Sequence, residues 1–109
     1  MADGGQEPDA GLGLIALIEA AEQLLAGEPN ERPAEVATAI TALLTRIELA
    51  TPGGAPLHAQ LDSTRKWLAV LNAPAEHGRF GGGAHIRDYV VTQLRLTRGA
   101  VEDYLREMA

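Results

Sequence analysis

Apolar residues recur along this chain at spacings of three and four, the period of one helix face. Leu14, Leu17, Ile18, Ala21, Leu24 and Leu25 form a first stripe, with Glu19 and Glu22 lying off it. Asp9 is placed to cap the start of that helix, and Gly27 and Pro29 stop it. A second helix starts at Asn30 or at the Arg32-Pro33 step, where proline fits the first turn. Its stripe is Val36, Ile40, Leu43, Leu44 and Ile47, and Thr51-Pro52-Gly53-Gly54 breaks it. A third begins near Pro56, uses Leu57, Leu61, Leu68 and Leu71, and ends around Asn72-Ala73-Pro74, with Trp67 at the stripe's edge. A fourth segment runs from about Ala84 to the end, and no stretch alternates with the period of a strand. The pattern predicts an all-α fold: a compact, antiparallel four-helix bundle with a Gly-rich loop before the last helix. Residues 1–8, polar and Gly-rich, read as a disordered leader, and residues 9–109 as a single helical domain.

Composition supports helices packed on helices. Hydrophobic residues make up 46% of the chain and aromatics only 4%, so the core must be built from aliphatic side chains. The absence of cysteine excludes disulfides, thiolate nucleophiles and cysteine-ligated zinc. Neither a signal sequence nor an apolar run of about 18 residues is present, which predicts a cytoplasmic protein that does not engage the membrane. The preference for Arg over Lys (Lys66 is the lone lysine), with abundant Ala and Gly, matches the coding bias of a high-GC bacterium. The net charge of −6 is uneven: residues 1–35 carry eight acids against Arg32, whereas residues 79–109 carry five arginines against four acids. An acidic front half repels nucleic acid, so any phosphate contact has to come from the C-terminal third.

Chemistry concentrates in the loop His77-Gly78-Arg79-Phe80-Gly81-Gly82-Gly83-Ala84-His85. Glycines before a helix suit anion binding, but neither GxGxxG nor phosphate-loop spacing is present, and no strand precedes the loop. Arg79 can clamp a partner's carboxylate and Phe80 can fill an apolar pocket; the plainer reading is a pliable joint with Phe80 folded back onto the helices. His58, His77 and His85 match no metal-ligand spacing, so neither a metal nor a cofactor is expected. Glu19 and Glu22 lie one turn apart, as in helical metal sites, but no histidine or second acidic pair answers them. Trp67, beside Arg65 and Lys66, is the strongest single anchor for a partner.

The last segment has two readings. As one helix, it aligns Ile86, Val90, Leu94, Thr97, Val101, Leu105 and Met108, but leaves Leu96 outside and Gly99 in mid-helix. As two helices, residues 87–106 resemble the helix-turn-helix motif of bacterial regulators. Arg95-Leu96 would make the turn, Thr97 would cap a reading helix, and the Leu-Thr-Arg-Gly-Ala-Val string would open it. That resemblance implies DNA contacts from Arg95, Thr97 and Arg98. Arg95 stands where the motif usually has Gly, Val91 where it has a small residue, and Glu102 and Asp103 would repel phosphates from the reading helix. With no catalytic constellation in the sequence, the leading expectation is a non-enzymatic, self-associating interaction module of bacterial type that meets a second copy or another protein through Trp67, Arg79 and Phe80. The alternative is a small DNA-binding regulator or antitoxin-like protein.

Overall fold

The computed structural model describes residues 6–27 and 33–108, with side chains from Gly13 and, after the gap, from Ala34. Four α-helices, α1 (Gln6–Ala26), α2 (Pro33–Leu49), α3 (Ala55–Leu71) and α4 (Gly83–Met108), are joined by a 3-10 helix at Pro74–Phe80 between α3 and α4. The described residues contain no strand, and the fold is all-α as expected. The 3-10 helix is an addition, making five helices among the described residues. Helix α1 starts three residues before the expected cap Asp9, with Pro8 in its first turn, where no amide partner is required. The remainder of the expected leader and the candidate start residues Asn30 and Arg32 lie outside the described residues.

The aliphatic stripes meet in one core. Ile18, Leu25, Ile40, Leu44, Leu61 and Leu68 are among its fully buried members, and Trp67, Phe80 and Tyr104 pack on its margin. Burying a side chain of this size contributes roughly 1.5–3 kcal/mol, so the stripes supply most of the drive to fold. Each long helix packs on two others: α1 on α2 and α4, and α3 on α2 and α4, with the α3–α4 contact the most extensive.

That α3–α4 seam also contains two buried polar side chains. Thr64 and Thr97 are completely buried, their hydroxyls 3.0 Å apart. The Thr64 hydroxyl also reaches the Gln60 carbonyl at 3.0 Å, and that of Thr97 the Gln93 carbonyl at 2.8 Å. Each hydroxyl has a single proton, so two of these three contacts are donated at a time. Gln60 Nε2 closes the network by donating to Gln93 Oε1 at 2.8 Å. At one end of the seam Tyr104 donates its hydroxyl to the Pro52 carbonyl at 3.1 Å, pinning the α2–α3 turn to α4. The same turn is held internally by Thr51, buried, whose Oγ1 donates to the Ile47 carbonyl at 2.8 Å and lies 3.2 Å from His58 Nε2.

Helix α4 is unbroken over residues 87–106, which settles the geometry of the last segment. Arg95-Leu96 make no turn, and among the described residues none other than glycine has positive φ. Ile86, Val90, Leu94, Thr97 and Val101 face the core, Leu105 is half-buried and Met108 is exposed. Leu96 is 53% exposed, a surface leucine and not the packed turn residue that the two-helix reading required.

Two outcomes follow. Nothing lies within 4 Å of a Cβ built on Gly99, so Gly99→Ala should stabilise the protein by about 0.5–1 kcal/mol in urea denaturation, as expected of a glycine inside a continuous helix. Thr97→Val should cost about 1 kcal/mol, and Thr64→Val/Thr97→Val less than the sum of the single changes. Strict additivity would mean that the two hydroxyls do not support one another.

Candidate functional site

The 3-10 helix gives the glycine-rich stretch a shape that its composition hides. Pro74 opens it with φ already fixed, and the Glu76 amide bonds the Ala73 carbonyl at 2.8 Å. Residues three apart eclipse one another in a 3-10 helix, which brings Arg79 onto Glu76 at 2.8 Å. His77 Nε2 lies 3.0 Å from the Leu71 carbonyl, tying the segment back to the end of α3. Gly81 then ends it with φ +91°, and the Gly82 amide bonds the His77 carbonyl at 2.8 Å. The expected loop is therefore helical up to Phe80, and its pliable part shrinks to Gly81-Gly82.

This geometry carries Phe80 onto Trp67. The two rings meet edge to face with centroids 5.4 Å apart, and Tyr89 of α4 makes a second, tilted contact with Trp67, centroids 4.5 Å apart. Offset and edge contacts at these separations are favourable for aromatic pairs. Trp67 and Phe80 are half-buried and Tyr89 is 40% exposed, so the cluster is packed and yet open to solvent. It joins three elements: α3, the 3-10 helix and α4.

Among the expected partner residues, the structure brings Trp67 and Phe80 into direct contact. Arg79 is exposed and held by Glu76 on its own element. Tyr89 was missed, although it stands seven residues before Leu96 and so shares its side of α4. The residues expected to read DNA are differently employed. Thr97 is fully buried, Arg98 binds Glu19 at 2.9 Å and Glu22 at 3.3 Å on α1, and only Arg95 is simply exposed. The two-helix geometry is thus absent, Thr97 is sealed in the core and Arg98 is engaged with α1.

The three histidines are far apart in their attachments. His58 meets Thr51, His77 meets the Leu71 carbonyl, and the His85 ring covers Gly81. Among the described residues no group of three or more His, Asp or Glu side chains is placed to hold a metal ion, and no helix is long and apolar enough to cross a membrane. Open concavities lie elsewhere, two of them beside apolar side chains. One, of about 350 Å³, sits between Pro52, Pro56, Leu57 and the Ala100–Met108 stretch of α4. The other, of about 540 Å³, is lined by Leu14, Leu17, Arg46 and Leu49 between α1 and α2.

The Gly81 turn is the element that aims Phe80. A Cβ on Gly81 would come within 3.0 Å of the His85 ring, in addition to the strain of φ +91°, whereas Gly82 has φ +99° with open space around it. Gly81→Ala should therefore cost more than Gly82→Ala in denaturant unfolding, with each left-handed backbone alone worth about 1–2 kcal/mol. Equal costs would show that the His85 contact yields freely. No known family model, curated protein sequence or solved structure matches the chain.

Proposed function

We propose that this protein is a non-enzymatic helical interaction module that associates with a second copy of itself in the cytoplasm of a bacterium. In this reading the four long helices act as an antiparallel bundle, a rigid platform to which the 3-10 helix adds a recognition edge. One observation carries the proposal: the half-open cluster of Trp67, Phe80 and Tyr89. Aromatic side chains bury much area while losing little rotamer freedom, and tryptophan and tyrosine are enriched where binding energy concentrates. A cluster already packed edge to face has its rings ordered before a partner arrives, which lowers the cost of binding. Arg79, exposed beside Phe80, supplies a charged group at the rim that can select a partner by its carboxylates.

The mass of the protein in solution tests this directly. Light scattering over rising concentration should show growth from the 11.5 kDa chain towards twice that mass. Trp67→Ala should weaken the association at least about tenfold while circular dichroism stays helical. A chain that remains monomeric throughout would remove the self-association reading.

A further inference from the structure

The concavity between the α2–α3 turn and the end of α4 is shaped by glycine and proline. Gly53 turns the chain with φ +78°. Gly54 has no side chain, and a Cβ there would lie 3.0 Å from the Tyr104 ring. The glycine thus lets Tyr104 close against the turn, where its hydroxyl reaches the Pro52 carbonyl at 3.1 Å. Between these pieces lies a space of about 350 Å³ whose apolar walls are Pro56, Leu57, Ala100, Tyr104 and Met108. That volume falls within the range of small-molecule sites. Buried Leu57 and the fixed φ of Pro52 and Pro56 hold its walls in place.

The charged side chains that line this space are both acidic, Asp103 and Glu107, one turn apart on α4. Asp103 is paired with Arg106, while Glu107 has no ion-pair partner among the described residues. Glu107 also stands in the last turn of α4, where the aligned peptide dipoles end in partial negative charge. The start of α3 borders the same space with Pro56, which has no N–H to offer an anion. A net charge of −6 adds a long-range field of the same sign. We infer that this pocket binds a small organic cation with an apolar body, a primary ammonium carried on an aryl or branched alkyl group. The ammonium meets Glu107 at the mouth, and the body displaces water from Leu57, Ala100 and Tyr104. An inorganic cation leaves the apolar walls unused, a neutral molecule leaves Glu107 unused, and an anion is repelled. The inference does not depend on the aromatic cluster and stands apart from self-association.

The openness of the mouth sets the strength to expect. Met108 is 67% exposed and Glu107 is exposed beside it. An exposed carboxylate keeps most of its hydration, so its pull on a cation amounts to about fivefold in affinity and weakens with salt. A ligand of this size, with its body in the pocket, should bind with a Kd of about 0.1–1 mM.

Phenethylamine, phenethyl alcohol and phenylacetate share one apolar body and differ in charge, so they separate the two contributions. Each is titrated to about 10 mM into the full chain while its amide resonances are followed by NMR. Phenethylamine should move the Gly53, Gly54 and Ala100 amides saturably, with the alcohol about fivefold weaker and the acid weaker still. Glu107→Gln, at an exposed position, should bring the amine to the level of the alcohol and leave the alcohol unchanged. Ala100→Met, which puts a side chain into the space, should weaken both at least about tenfold while circular dichroism stays helical. Phenylacetate binding as tightly as the amine, or an amine preference that survives Glu107→Gln, overturns the inference. So does amine binding that persists in a helical Ala100→Met chain, that shifts only residues outside the pocket, or that never saturates.

Discussion

The buried hydroxyl pair of Thr64 and Thr97 fixes where α4 sits. An aliphatic core is non-directional: leucine and isoleucine stripes fill space well in more than one register, and sliding one helix along another changes the buried area little. A hydroxyl sealed in such a core is different, because beyond the carbonyl it reaches in its own helix it makes a directional contact with the neighbouring one, and such a bond contributes about 0.5–1.5 kcal/mol. The Thr64–Thr97 contact and the Gln60–Gln93 bond are both made in the observed register. Moving α4 by one turn would separate the two hydroxyls, which lie 3.0 Å apart in this register. From this constraint follow the contacts at both ends of the seam, Tyr104 on Pro52 at one and Tyr89 on Trp67 at the other.

Electrostatics then arranges the remaining surfaces. Surface ion pairs such as Arg98 with Glu19 and Glu22 contribute little individually to stability. Their effect on the character of the surface is larger. Linear counts suggest a basic C-terminal third available to phosphate, yet in the folded chain Arg87 and Arg98 are turned to α1 and Arg65 to α2. The α3–α4 side carries the aromatic cluster. The acidic front half and the basic tail are thus two sides of one internal contact.

Much of the fold was legible because helical period is a strong signal in a Leu- and Ala-rich chain. Leu14, Ile18, Leu25, Ile40, Leu44, Ile47, Leu57, Leu61, Leu68 and Leu71 all belong to stripes that the spacing alone identifies, and all are buried. The 3-10 helix was hidden because its seven residues include one glycine and are followed by three more, and composition reads such a stretch as a joint; the i to i+3 spacing of Glu76 and Arg79 was the available clue. Thr64 was passed over because it is polar, although it stands between Leu61 and Leu68 in the core stripe. The helix-turn-helix resemblance drew on Leu96 and Gly99 as defects of a single helix. The structure accepts both, Leu96 on the surface and Gly99 with free space around it. Trp67 and Phe80 were recognisable one at a time, while their contact, and that with Tyr89, depended on a tertiary arrangement that no local pattern encodes.

The distribution of aromatic residues has an optical consequence. Trp67, Phe80, Tyr89 and Tyr104 are all the aromatics of the chain, and every one lies along α3–α4 or on the segment joining them. Helices α1 and α2 carry none. Near-ultraviolet absorbance and dichroism therefore see half of this molecule. An excursion in which α1 swings away, breaking the Arg98 pairs and exposing Ile18 and Leu25, would leave those spectra nearly unchanged while amide exchange along α1 accelerates. A chiral aromatic signature that looks fully native is, for this protein, a statement about one seam and not about the whole core.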